Sequence, residues 1–526
     1  MPTTAKTPGV YINEVNGFPN SVVPIETAVP AFIGYTPIAE YEGKSYLNKA
    51  QKVSTFAEFK AIYMLEDPAP PADPVKQYKP EYYLVPQKTK PESGDYVTIV
   101  GKFYSILPDP TTVYYMYNAI RLFFENGGGD AFIVSIGSYG DIAGKPMDVK
   151  ETHIVNPNVQ LADLQKGLEP LMFEQEPTMY YCPDATLMPV AQNGTVMQEM
   201  LLQAEKMQTV VCLFDIIGGR EPDPIMFEND IKNFRNNTGS QGLKYGAAYY
   251  PFVMTTIIQA GEIDFTSLFG GDVSKLGAII NPAGNQDPVT TQLLDMMDDP
   301  KSHDMTNKQL HTALMNANKP YALIVKHVTA DASILPPCGG MAGIYTINDQ
   351  EKGVWHAPAN VSMVGVSGLP LRLNDHQQEN LNVDAISGKS VNAIRFFNGQ
   401  GILVWGARTL DGNSEDWRYV SVRRTMTFIE QSVKLAARAY VFEPNDANTW
   451  AAVDAMINDF LTNVWKEGGL QGGQPADAFQ VIIGLGSTMT PEDLLNGYMN
   501  VTVKVAVVRP AEFIEITFQQ EMAKSG

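Results

Sequence analysis

The chain has 526 residues, 44% hydrophobic and 18% charged, an ordinary globular balance in a chain too long for one core, so two or three domains are expected. Its 38 Lys and Arg against 58 Asp and Glu leave a net charge of −20, which argues against nonspecific nucleic-acid binding and leaves no basic amphipathic run for a membrane surface. The 3 cysteines, Cys182, Cys212 and Cys338, are odd in number and far apart, which argues against a disulfide framework and for a reducing compartment. No stretch approaches the ~18 unbroken apolar residues of a membrane span.

The opening "MPTTAKTPGVYINEV" lacks a charged segment followed by an apolar core, so no secretory signal is expected. Within it, "TPGVYINEV" is strand-like, with Val10 and Ile12 set against Tyr11 and Asn13, and Pro8 at a tolerated first position. Turn formers follow, and then "AVPAFIGYTP" reads as a buried strand. Residues 40–112 are rich in Pro, Lys and Tyr and read as an irregular surface insertion. "TVYYMYNAIRLFFEN" has helical spacing and is stopped by "GGGD". "AFIVSIG" is the next strand.

Through the middle, strand candidates "TMYYCPD", "TVVCLFDI", "GAAYYPFV" and "YALIVKHV" alternate with helix candidates "GTVMQEMLLQAEKM" and "PVTTQLLDMM". That alternation predicts a mixed, partly parallel sheet with helices on its faces. Further on, "SVNAIRFFNGQGILVWGARTL" predicts a hairpin and "RYVSVRRTMTFIEQSVKLAARAY" a long helix. "NDANTWAAVDAMINDFLTNVWKEGGL" predicts a second helix, with Trp450, Val453, Ile457, Phe460, Leu461 and Val464 on one face. Asn445 or Asp446 can cap its start and Gly468 can end it. "GYMNVTVKVAVVRP" is a strand with Val501, Val503, Val505 and Val507 on one side. The last residues, "RPAEFIEITFQQEMAKSG", alternate Ile514, Ile516 and Phe518 with Glu515, Thr517 and Gln519, with no returning strand. A lone strand of this kind is unstable in water and an aggregation hazard. The fold class is α/β in the mixed α+β sense, over several domains.

Chemistry is sparse. "FFENGGGDAF" places the helix before the glycines, the reverse of a phosphate loop, and "SGKS" at Ser387 to Ser390 has no glycine five residues before Gly388. His153, His303, His311, His327, His356 and His376 show no zinc-ligand spacing. His303 and His311 are expected on a solvated face, and His327 as a core residue ending an apolar strand. No Gly-x-Ser-x-Gly elbow occurs. No catalytic, cofactor or metal site is expected. What stands out instead is two strand-like ends without a partner.

"PPCGGMAGIYTINDQEKGVWHAPAN", with Gly353, Val354, Trp355, Ala357, Pro358 and Asn360, resembles the signature of contractile tail sheath proteins. "TPGVYINEV", "FFENGGGDAFIV", "IRFFNGQGILVWGARTL" (with Trp405, Gly406 and Arg408), "VWKEGGLQGGQPADAFQVIIG" and "PAEFIEITF" resemble other stretches of that family, in the same order. The resemblance covers nearly the whole chain apart from residues 40–112. It implies a multidomain sheath subunit: an N-terminal linker arm (1–28), core pieces (29–39 and 113–140), a Pro-rich surface insertion (40–112), a middle α/β domain (141–345), a C-terminal sheath domain (346–509) and a C-terminal linker arm (510–526).

The resemblance further implies helical polymerisation around an inner tube and contraction that drives the tube through a target envelope, without nucleotide hydrolysis. The arms, through Val10, Tyr11, Ile12, Phe513, Ile514, Ile516 and Phe518, would add strands to a neighbour's sheet built around "MNVTVKVAVV". Gly9, Gly17, Pro19, Pro24 and Pro510 would serve as hinges and stops. Implied partners are further copies of the chain, the inner tube protein, and baseplate and terminal cap proteins. Tube contact is placed on the helix bearing Asp454, Asp459 and Lys466. No direct nucleic-acid contact and no membrane insertion are implied. Assembly would occur in a bacterial cytoplasm, within a phage tail or an injection particle, released or envelope-anchored. The alternatives are a baseplate- or cap-proximal sheath paralogue and a ligand-binding α/β enzyme; a sheath forms tubes, whereas an enzyme stays a small soluble oligomer.

Overall fold

The computed structural model describes residues 22–69, 72–91, 94–259, 261–284 and 286–516. Val10, Tyr11, Ile12 and Phe518 lie outside these residues, as do Gly9, Gly17 and Pro19. The described residues form two compact units, one of residues 26–424 with 509–516, the other of residues 22–25 with 425–508.

The larger unit is built on an eight-stranded sheet. Its spatial order is Gly401–Trp405, Asn392–Phe397, Gly246–Tyr250, Val211–Asp215, Met179–Tyr181, Pro30–Gly34, Ala131–Ser135, Gln51–Val53. The six inner strands are parallel, and the two outermost run antiparallel to their neighbours. A parallel sheet is covered on both faces, so its strands read as unbroken apolar runs rather than as alternation. "PAFIG" and "VCLFD" follow that rule and are buried throughout. Successive side chains point to opposite faces. Phe32 packs edge-on to Phe123 of the Met116–Glu125 helix, with ring centroids 5.4 Å apart. Ile33 points the other way, where a Cβ on Gly167 of the Leu161–Leu168 helix would come within 2.6 Å of its Cγ2.

The Met116–Glu125 helix pairs with Cys338–Lys352, and glycine sets how closely they approach. A Cβ on Gly339 would lie 2.5 Å from the Ala119 carbonyl oxygen, and one on Gly343 2.6 Å from that of Phe123. Four residues apart, these glycines fall on one helix face.

Two sequence expectations fail in this unit. Residues 40–112 are not irregular: they contain the Phe56–Tyr63 helix, capped by Thr55, and the outer strand Gln51–Val53. They also form a three-stranded antiparallel sheet of Tyr82–Gln87, Lys102–Pro108 and Tyr96–Ile99. Tyr82, Leu84, Val97, Ile99, Tyr104 and Ile106 alternate into its buried face. The Pro and Lys of the connecting turns mask that alternation, and Pro86 sits on an edge strand, where a missing N–H is tolerated. "YALIVKHV" is not a strand but part of the Lys319–Ala332 helix. The Asn318 side chain accepts the Tyr321 N–H at 2.8 Å, and Tyr321, Ile324, Val325, Val328 and Ala332 are buried at helical spacing. Five apolar residues in a row, read in a short window, hide that period.

In the smaller unit the Ala447–Lys466 helix is capped by Asp446, whose side chain accepts the N–H groups of Asn448 and Thr449. Asn445 instead accepts from the Trp450 indole at 2.7 Å. Gly468 ends the helix at φ +90°. Val453, Met456, Ile457, Phe460, Leu461 and Val464 are buried, while Trp450 is only half-buried. In this unit the ring of Phe428, from the Val420–Ala437 helix, lies 5.8 Å from that of Phe460.

Candidate functional site

Two places have unfinished secondary structure. The first is in the smaller unit. Phe479–Ile483 and Val501–Val505 form an antiparallel pair in the register Phe479↔Val505 to Ile483↔Val501. Among the described residues this sheet has two strands only. It lies against the Ala447–Lys466 helix, with Val501, Val503 and Val505 half-buried and Thr502 and Lys504 exposed. Two strands on one helix leave a row of backbone N–H and C=O groups on each outer edge, ready to pair with another chain.

The second place is the C-terminal arm, in the larger unit. Residues 511–516 form no strand among the described residues. Phe513, Ile514 and Ile516 are 74%, 78% and 69% exposed. Just before them the Glu512 carboxylate is held by five bonds from three side chains, one of them Arg408 Nε to Oε2 at 3.1 Å. Arg408 donates to it through Nε (2.9 Å to Oε1) and Nη2 (2.7 Å to Oε2). Asn382 Nδ2 donates to Oε1 at 2.7 Å and the Tyr419 hydroxyl to Oε2 at 2.9 Å. Burial alone raises this carboxyl, but Arg408, Asn382 and Tyr419 outweigh it and hold it below the ordinary glutamate range. The sequence singled out Arg408 but not Glu512, Asn382 or Tyr419. The available signal was an acidic residue directly before an exposed apolar run.

The remaining motif residues are architectural. Gly353 follows the Cys338–Lys352 helix at φ +89°, and its N–H donates to the Asp349 carbonyl at 3.0 Å. Val354 and Pro358 are buried, Trp355 and Ala357 half-buried. Asn360, at φ +57°, donates its N–H to the Val404 carbonyl at 2.8 Å, and Val361 bridges Val404. "GVWHAPAN" therefore caps a helix and lays the chain along the outer strand of the large sheet. Trp405 packs on Phe397 with ring centroids 4.5 Å apart. A Cβ on Gly406 would lie 2.7 Å from Asn392 Oδ1.

Two histidine expectations also change. His311 is buried rather than solvated, and its Nδ1 pairs with the Tyr321 hydroxyl at 2.8 Å. His327 sits on a helix, half-buried, with Nδ1 2.8 Å from Asp95. Among the described residues no helix is long and apolar enough to cross a membrane.

Residues 413–521 match the family model for the phage tail sheath C-terminal domain. The tail sheath protein of Vibrio phage KVP40 is 26% identical over 26% of this chain and 20% of its own length. That of Burkholderia phage BcepMu is 23% identical over 39% of this chain and 41% of its own length. The C-terminal part of the chain thus matches the phage tail sheath C-terminal domain, and these stretches are similar to tail sheath proteins. The chain spans between a fifth and about two fifths of the length of these curated sheath relatives. Two solved sheath structures share its fold. The contracted sheath of an extracellular contractile injection system (PVC) is 23% identical, covers 99% of each chain and has a TM-score of 0.56. The contracted helical sheath of the anti-feeding prophage is 24% identical, covers 98% of this chain and 100% of the other, and has a TM-score of 0.57.

Proposed function

We propose that this chain is a structural subunit of a contractile sheath, polymerising helically around an inner tube and contracting to drive that tube through a target envelope. The observation that carries this reading is a pair of complementary defects in one chain. A two-stranded sheet has open edges, and an apolar run at residues 513–516 is exposed where it leaves the body. Each supplies what the other lacks. Backbone bonds to a sheet edge give affinity, and alternate side chains give register. A contact between unlike surfaces that does not close on itself generates a helix of subunits. The sheath-family likeness supports the same reading.

The roles of 1–28 and 510–526 as linker arms, and of Val10, Tyr11, Ile12, Phe513, Ile514, Ile516 and Phe518 as their contact residues, belong to this proposal. So do the inner tube, baseplate and cap proteins as partners, and assembly in a bacterial cytoplasm. The tube-facing element is the Ala447–Lys466 helix, on which Asp459 and Lys466 are exposed and Asp454 is half-buried. The extended sheath is held behind a barrier, and its bodies move largely rigidly while the arms stay paired.

The test is negative-stain electron microscopy of the full chain, with and without the tube protein, beside a chain ending at Pro510. Striated tubes from the first and none from the second are expected. Tubes from both would remove the C-terminal arm from the linkage.

A further inference from the structure

The Arg408–Glu512 pair joins two motifs that lie 104 residues apart in sequence, "LVWGARTL" and "PAEFIEITF". It is built from both sides. Behind Arg408, its own N–H donates to Asn392 Oδ1 at 2.8 Å and its carbonyl accepts from Asn392 Nδ2 at 2.9 Å. Asn392 begins the Asn392–Phe397 strand of the eight-stranded sheet. The guanidinium also reaches the Asn382 carbonyl at 3.3 Å and that of Gly412 at 3.4 Å. In front of it, both oxygens of Glu512 are engaged, and the next two residues, Phe513 and Ile514, are exposed. The side chain of Arg408 is 4% exposed and that of Glu512 19%.

We propose that Glu512 is the anchor of the C-terminal arm: it fixes where and in what direction the apolar run leaves the body, and it passes tension in that arm to the large sheet through Arg408. This rests on reading the arm as a donated strand. The preceding strand, Val501–Val505, belongs to the smaller unit, whereas residues 509–516 belong to the larger one. The pair thus ties the donated strand to the larger unit. Bidentate charge-assisted bonds are about twice as strong as neutral ones, and separating them strands a buried guanidinium. The tether one step upstream is weaker: Arg509 donates to the Glu415 carbonyl at 2.7 Å and lies 3.7 Å from Asp416, both carboxylate and guanidinium largely exposed. Without the anchor, residues 510–512 must also be ordered each time the strand is donated, which disfavours pairing.

The experiment uses the full chain carrying Glu512→Ala or Glu512→Gln, with limited proteolysis of the arm, thermal melting and sedimentation of polymers. Glu512→Ala is expected to lower the melting temperature, because it strands the buried Arg408 guanidinium, while leaving the body folded, and to open the segment after Val508 to protease. It should raise the protein concentration needed for polymers about tenfold. Glu512→Gln, which keeps the shape but not the charge, should fall between. A parental proteolysis pattern and parental assembly in Glu512→Ala overturn the anchor. A chain ending at Pro510 separates this from the larger reading. If that chain fails to polymerise while Glu512→Ala assembles normally, only the anchor falls. If it polymerises, the donated-strand reading falls.

Discussion

Arg424 and Asp349 form an enclosed ion pair, with side chains 3% and 4% exposed. The guanidinium donates to Asp349 Oδ1 at 2.9 Å and to the Thr27 carbonyl at 2.8 Å, and it lies 4.7 Å over the Tyr345 ring. Removing one partner leaves a buried charge, so Arg424→Met is expected to cost about 3–5 kcal/mol. Adding Asp349→Leu should recover most of that, because a buried pair and an apolar pair of similar volume are close in free energy. Urea unfolding of the single and double variants measures both. Two other carboxyls respond oppositely to pH. Burial pushes Asp184 up to about 6, even though it accepts backbone N–H groups from Tyr35, Tyr115 and Met116, so its contribution to stability worsens as pH rises through that value. Glu512 is held low, so its contribution is complete above the ordinary glutamate value, about 4.3, and is lost as pH falls through its lowered value. Protease protection of the arm should therefore persist from neutrality down to that range and vanish in stronger acid. Glu512→Gln should show no such acid step.

Among the elements, the contact between the helices Met116–Glu125 and Cys338–Lys352 is the tightest constraint. The Gly343 position faces the Phe123 carbonyl oxygen at a distance no side chain tolerates, so Gly343→Ala must part the helices. A cost of about 1–3 kcal/mol is expected, from overpacking against backbone that cannot rotate away. A thermal melt of Gly343→Ala beside Gly129→Ala, where a Cβ meets nothing within 4 Å, checks it. If the two variants melt alike, the close approach is not what makes glycine necessary at position 343.

On the scale of the whole molecule, stability and assembly separate. Ile514 and Ile516 are exposed and contribute little to the folded chain, so Ile514→Asp with Ile516→Asp should leave its melting temperature unchanged. The same pair should abolish polymers, since a donated strand needs its apolar face. Sedimentation and melting of one preparation distinguish the two effects. A drop in melting temperature would mean that these side chains pack within the chain.

The local patterns determined much by themselves. The apolar runs of the parallel strands, the hairpin at "IRFFNGQGILVW" and the face and Asp446 cap of the Ala447–Lys466 helix were all legible, because period, capping and turn chemistry are properties of neighbouring residues. The alternation that carries Ile514 and Ile516, which are exposed, was visible in the same way. Tertiary structure decided the rest. Tyr321 to Val328 carry helix and strand signals together, and only the Asn318 cap and burial at helical spacing select the helix. Residues 40–112 became a sheet because cross-strand pairs, which no single segment contains, outweigh the turn-rich composition. Glu512 acquired its place in the same way. Its partners Asn382, Arg408 and Tyr419 are 130, 104 and 93 residues away in sequence, and a carboxylate among polar neighbours has no periodic signature. Sequence fixes which residues want a partner; which partner each one meets is set by the packing of the whole sheet, because burial and charge pairing act through space rather than along the chain.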